Sequence, residues 1–127
     1  MEAQKPKVVV IESDENQRYL YDIALEFQKL NVLTAATIAD GLTLVKEIEP
    51  DLLLLDEVVT DFHEYNLIEE LEKLVPDKMP SIIVTNLRDE ATRDEEKNKI
   101  LQAFDYLTDG ENTVGNVIRS TRKAINI

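Results

Sequence analysis

Acidic side chains stand where apolar runs end in this sequence. Glu12, Ser13 and Asp14 follow Val8-Val9-Val10-Ile11, Asp56 follows Leu52-Leu53-Leu54-Leu55, and a hydroxyl, Thr85, follows Ile82-Ile83-Val84. Carboxylates gathered from such positions favour cations and basic partner faces and repel phosphate. The chain as a whole has 26 acids against 14 bases, a formal charge of −12, which disfavours direct binding to nucleic acid or to an anionic membrane surface. There is no cysteine, so a disulfide framework and a thiolate metal site are excluded.

The apolar runs are the elements that must position these groups. Val8 to Ile11 and Leu52 to Leu55 are unbroken, the pattern of strands buried on both faces, and Val32 to Ala36, Ile82 to Val84 and Phe104 to Leu107 read as three more strands. Between them the period lengthens. Leu20, Ile23, Ala24, Phe27 and Leu30 recur at three- and four-residue spacing, with Ser13 or Asp14 as the cap of a first helix. Leu42, Val45 and Ile48 mark a second helix opened by Thr37 and closed before Pro50, and Leu67, Ile68, Leu71, Leu74 and Val75 mark a third, ending before Pro76. The charged stretch 88–99 is compatible with a fourth helix, and Val114, Val117, Ile118, Thr121 and Ile125 stripe a fifth.

Five strand-helix alternations with short connections predict an α/β fold, a doubly wound five-stranded parallel sheet with helices on both faces. The 127 residues suit one domain with a core from about residue 7 to residue 125, and the 43% hydrophobic content is enough to build it. In such a sheet the functional crevice lies beyond the carboxyl ends of the strands. Glu12, Asp56, Thr85 and the residues after Leu107 are therefore expected to meet there. The polar segment Met1 to Lys7 lacks the apolar run of a signal peptide, and no stretch reaches the length of a membrane span, so a cytoplasmic setting is expected.

Four segments in register, Lys7-Val-Val-Val-Ile-Glu-Ser-Asp14, Pro50-Asp-Leu-Leu-Leu-Leu-Asp56, Pro80-Ser-Ile-Ile-Val-Thr85 and Ala103-Phe-Asp-Tyr-Leu-Thr108, make the chain resemble the receiver domain of bacterial response regulators over nearly its whole length. The resemblance implies a (βα)5 fold with strand order 2-1-3-4-5. It implies that Asp56 is the acceptor of a phosphoryl group from a histidine kinase or phosphotransfer protein in a two-component phosphorelay. It also implies Mg²⁺, held by Glu12, Asp56, the backbone carbonyl of Val58 and, weakly, Ser13. Thr85 matches the hydroxyl that bonds a phosphoryl oxygen, and Tyr106 the aromatic residue that moves with it. Each has an ordinary structural reading beside this one, a strand threonine and an amphipathic sheet-edge tyrosine.

Departures from the family pattern cluster at the site. Ser13 replaces one of two metal acids. Asp109 and Gly110 replace a lysine and a cis-proline after strand five, so attraction to a phosphoryl group becomes repulsion, worth at most ~4 kcal/mol at an effective dielectric of ~20. Thr60 and Glu64 replace a proline and a glycine in the loop after Asp56. His63 lies in that loop, where a solvent-facing side chain is the ordinary role and a phosphorelay or metal role the exceptional one.

Two signalling readings follow. The first is a working phosphoacceptor that changes a downstream protein contact, through the face of helices four and five (88–99 and 114–125) or by homodimerisation. The second is a pseudo-receiver, an interaction module independent of phosphorylation. An enzyme on the same topology fits less well. An aspartyl phosphatase wants an acid at position 58, which is Val58, and a flavin site wants a hydroxyl- and glycine-rich loop where Glu12-Ser13-Asp14-Glu15 stands. The sequence ends soon after the last helix, as a stand-alone or an excised domain would, and if it stands alone output by surface binding is expected.

Overall fold

A computed structural model describes residues 4–56, 67–87, 104–108 and 113–127. The elements in chain order are β1 (Lys7–Ile11), α1 (Glu15–Phe27), β2 (Asn31–Ala35), α2 (Ile38–Ile48), β3 (Leu52–Asp56), α3 (Leu67–Leu74), β4 (Ser81–Leu87), β5 (Asp105–Thr108) and α4 (Val114–Ala124). The five strands are all parallel in the order β2-β1-β3-β4-β5, the order expected from the sequence. The stretch 88–99, read as helix-compatible, lies outside the described residues.

The unbroken apolar runs are explained by two cores, one on each face of the sheet. Successive strand residues point to opposite faces. Val9, Ile11, Leu53, Leu55, Ile82 and Val84 pack with Ile38 and Val45 of α2 and with Leu71 and Val75 of the α3 segment. Val8, Val10, Leu52, Leu54 and Ile83 pack with Tyr21 and Leu25 of α1 and Val117 of α4. Each fully buried leucine or isoleucine contributes roughly 1.5–3 kcal/mol relative to an exposed one, so a strand of four leucines outweighs leucine's modest strand preference.

Capping fixes where the helices begin. Asp14 Oδ1 accepts from the Gln17 N–H at 2.9 Å, and Thr37 Oγ1 accepts from the Asp40 N–H at 3.2 Å. α2 ends on Glu49 in the left-handed region, φ 48°, immediately before Pro50. At the sheet edge opposite the acids, Asp51 accepts from the Lys7 N–H at 2.8 Å and pairs with Lys78 at 3.0 Å. Burial pushes the Asp51 carboxyl up, but these partners outweigh it and hold it below the usual range.

One helix turns a different side to the sheet than its sequence stripe suggests. Tyr21 and Leu25 are the buried residues of α1, whereas Leu20, Ile23 and Phe27 are 51%, 46% and 85% exposed, beside Tyr19 at 64%. α1 carries two apolar stripes at helical spacing, and the cap at Asp14 together with the short connection to β2 selects the one containing Tyr21 and Leu25 for the core.

α2 approaches β1 through Gly41, where an added Cβ would run into the Ile11 side chain, itself fully buried. Gly115, near the start of α4, has open space around it. Gly41→Ala is therefore expected to cost about 1–3 kcal/mol by overpacking. Gly115→Ala is expected to be neutral or to stabilise by up to ~1 kcal/mol through helix propensity. Urea unfolding of both variants measures the contrast, and equal stabilities would contradict the packing described.

Candidate functional site

Parallel pairing delivers three separated polar residues to one edge. Ile11 is in register with Leu55, and Asp56 with Thr85, so Glu12, Asp56 and Thr85 extend side by side from β1, β3 and β4. All three are buried, at 1%, 2% and 1% exposure. β4 continues past Thr85 to Leu87, so Thr85 lies inside the strand rather than at its last residue. Between Val84↔Tyr106 and Leu87↔Thr108, three steps along β4 match two along β5, an irregularity that places Thr85 at a bulge beside the acids.

Adjacent parallel strands lie about 4.8 Å apart, too close for two desolvated carboxylates to stay charged without help. Burial, a hydrogen bond to Asp56 and the charge of Asp56 together push the Glu12 carboxyl from its ordinary 4.5 up to about 8. Asp56 has its own donors. The Ser13 N–H and the Ser13 hydroxyl both donate to Asp56 Oδ2, at 2.8 and 3.0 Å. Two donors on Asp56 favour its charged form, so the proton of the pair resides on Glu12.

The start of α1 completes the arrangement. The Asp14 N–H donates to Glu12 Oε2 at 3.3 Å, while the Asp14 carboxylate caps the helix. Arg18 Nη1 donates to the Glu12 carbonyl at 2.9 Å. The Thr85 hydroxyl donates to the Leu55 carbonyl at 3.2 Å. Tyr106 is half-buried, in register with Val84, and packs against the core layer of α2 and α3.

The structure thus brings together Glu12, Ser13, Asp56 and Thr85, with Tyr106 one strand away. Val58, His63, Thr60, Glu64, Asp109 and Gly110 lie outside the described residues. Among the described residues no three His, Cys, Asp or Glu side chains converge, and Glu12 and Asp56 meet with Ser13 beside them. The resemblance implies Ser13 as a weak metal ligand, and in the structure its hydroxyl donates to Asp56. The signal available for this was a hydroxyl in an acidic position next to a buried carboxylate. Arg18 was missed, and nothing in the spacing points to it.

The fold has counterparts among solved structures. A response regulator receiver domain protein from Clostridium thermocellum superposes with a TM-score of 0.76 at 22% identity, covering 95% of this chain and 94% of its own. A response regulator signal receiver domain from Bermanella marisrubri superposes at 0.80 and 19% identity, covering 97% and 100%. The class that fold and similarity define is the response-regulator receiver domain of two-component signalling.

Among curated proteins the chain is similar to the transcriptional regulatory protein AfsQ1 of Streptomyces coelicolor, 31% identical over 85 residues, covering 67% of this chain and 37% of that protein. It is also similar to Protein PilH of Pseudomonas aeruginosa, 28% identical over 107 residues, covering 80% and 84%. The chain spans little more than a third of AfsQ1 and of the probable transcriptional regulator ycf27 of Cyanophora paradoxa, 37% and 38% of their lengths. No family model matches the chain. Among the described residues no helix is long and apolar enough to cross a membrane.

The buried pair has a consequence for stability. The folded state keeps the Glu12 proton up to about pH 8, whereas an unfolded chain releases it near 4.5. Across that window the folded state binds more protons, so stability declines as pH rises through it. Glu12→Gln is expected to remove this decline and to be more stable than wild type at the upper end of the window. Thermal unfolding at a series of pH values checks it; a wild-type midpoint that is level from 4.5 to about 8 would contradict the buried pair.

Proposed function

We propose that this domain is a phosphoacceptor receiver in which Asp56 takes a phosphoryl group from a histidine kinase or phosphotransfer protein and signals through protein contacts, as a signalling module rather than an enzyme and in a cytoplasmic setting. The observation that supports it is the division of labour in the buried pair. A carboxylate nucleophile must be ionised, and Ser13 donates two hydrogen bonds to Asp56 while Glu12 carries the proton. In the transfer, an Asp56 oxygen bonds to phosphorus as the bond from phosphorus to the donor atom breaks, and the departing group leaves with that electron pair.

The donor set suits a small, hard divalent cation. Mg²⁺ retains several waters and needs only one or two carboxylates, and Glu12 and Asp56 are two adjacent oxygen donors whose mutual repulsion is relieved at present by a shared proton. Glu12 and Asp56 would hold the ion, with Glu12 giving up its proton. When bound, Mg²⁺ supplies positive charge to the phosphoryl oxygens. Thr85, whose hydroxyl now rests on the Leu55 carbonyl, is placed one strand from Asp56 to donate to a phosphoryl oxygen instead. Its move would be transmitted to the β4–β5 side, where Tyr106 packs.

A second reading is supported by the same Ser13. Its two bonds to Asp56 tie the β1–α1 junction to β3 through protein groups, as a pseudo-receiver that binds partners irrespective of phosphorylation would need. The replacement of the family's lysine by Asp109 points the same way.

Incubation with phosphoramidate and Mg²⁺, followed by intact-protein mass measurement, separates the two. Wild type is expected to gain one phosphoryl group and Asp56→Asn none. Ser13→Asp, which supplies a third carboxylate, is expected to bind Mg²⁺ about tenfold more tightly by calorimetry. No Asp56-dependent gain in a folded wild-type protein would overturn the first reading in favour of the second.

A further inference from the structure

The sheet ends on one side at β2, and among the described residues nothing pairs with the outer side of that strand. Edge strands in natural proteins are usually blunted by charge, proline or a bulge. β2 has none of these: Asn31-Val-Leu-Thr-Ala35 is uncharged and free of proline, and its register with β1 runs unbroken from Lys7↔Asn31 to Ile11↔Ala35. The opposite edge differs, since β5 is shorter, begins with Asp105 and breaks register against β4.

Two hydrogen bonds fix which way the backbone groups of β2 turn. The Asn31 N–H donates to the Pro6 carbonyl at 2.9 Å, and the Glu12 N–H donates to the Ala35 carbonyl at 3.0 Å, so Asn31 and Ala35 turn toward β1. In a strand the N–H and C=O of one residue point to one side and those of the next residue to the other. Val32 and Thr34 therefore turn theirs outward. Thr34 is half-buried and lines two cavities, one of about 250 Å³ beside α1 and one of about 460 Å³ beside α2.

The walls of both cavities are acidic. Glu15 and Asp22 stand on the α1 side and Asp40 and Glu47 on the α2 side, and Arg18, common to both, is the one base among the described lining residues. Arg18 Nη1 already donates to the Glu12 carbonyl, and Asp22 Oδ1 is buried without a hydrogen-bond partner. A second copy paired along β2 would bring the same acids against these, in a chain of net charge −12, so the charge favours a basic occupant over self-pairing.

We propose that the β2 edge is a docking site for an extended basic segment of a partner protein, which adds to the sheet as one more strand. Its backbone bonds to the outward groups of Val32 and Thr34, and its side chains alternate between the two cavities, placing lysine or arginine against Asp22 and Glu15 on one side and Asp40 and Glu47 on the other. Main-chain pairing supplies affinity and the acids supply selectivity. The site lies at the sheet edge opposite β5, so it goes beyond the proposed phosphoacceptor role and does not depend on it.

The test is fluorescence anisotropy of the full chain with a labelled peptide in which lysine and valine alternate, together with amide hydrogen exchange followed by NMR. In the free domain the Val32 and Thr34 amides are expected to exchange faster than those of Asn31, Leu33 and Ala35, and the peptide is expected to slow both at least tenfold. Thr34→Pro, which removes an outward N–H and no bond to β1, is expected to weaken binding about tenfold, and Asp22→Asn/Asp40→Asn/Glu47→Gln at least tenfold. A peptide of alternating glutamate and valine, or the lysine peptide with its bonding amides N-methylated, is expected not to bind. Absence of binding at millimolar peptide, equal binding of the control peptides, or binding by folded variants that leaves both changes without effect would overturn the proposal. Protection of Val32 and Thr34 that grows with protein concentration alone would assign the edge to a second copy and overturn it too. Circular dichroism of each variant confirms folding.

Discussion

The site depends on one constraint: β1 and β3 are hydrogen-bonded neighbours in parallel, and each is followed or ended by a carboxyl group at the same edge. That pairing leaves Glu12 and Asp56 no separate routes to water. Two buried carboxyl groups at strand spacing must share a proton, take up a cation, or be offset by donors; here the Glu12 carboxyl is pushed up to about 8 and Ser13 donates twice to Asp56. The chemical asymmetry between the two acids comes from Ser13. Its amide and hydroxyl both address Asp56, whereas Glu12 receives the more distant Asp14 amide.

The rest of the fold supports that edge. Two hydrophobic layers hold the sheet rigid from both sides, and the strands' ends emerge together because all five run in one direction. The turn from β1 into α1 then does three things within three residues. Glu12 contributes an acid, Ser13 binds Asp56, and Asp14 caps the helix whose next turn sends Arg18 back to the Glu12 carbonyl. A receiver domain with a second acid at position 13 would gain a cation ligand and lose this internal clasp. The exchange lets protein groups satisfy Asp56, which is the physical content of the choice between phosphoacceptor and pseudo-receiver.

Much of this was legible in the sequence. The two unbroken runs ending at Ile11 and Leu55 read, by their short length, as strands covered on both faces, and with alternating helices between them the meeting of Glu12, Asp56 and Thr85 followed from topology. Three features were not legible. Periodicity identified α1 by the stripe of Leu20, Ile23, Ala24, Phe27 and Leu30, of which Leu30 is buried and Ala24 half-buried while Leu20, Ile23 and Phe27 are exposed, because hydrophobic spacing does not report a helix's rotation about its axis. The extension of β4 to Leu87 was hidden by polar Asn86, which breaks the apolar run. The donor role of Ser13 depends on where its hydroxyl points, and a residue type that can donate or accept leaves that open until the Asp56 side chain is placed.

The central claim is that Glu12 and Asp56 form one coupled unit able to exchange a shared proton for a cation. Carbon-13 NMR of the Glu12 side-chain carboxyl, titrated with pH in the presence and absence of Mg²⁺, tests it most directly. The account predicts a midpoint near 8 without the ion and a clear downward displacement when Mg²⁺ is added. A midpoint near the ordinary 4.5 that Mg²⁺ leaves unchanged would contradict it.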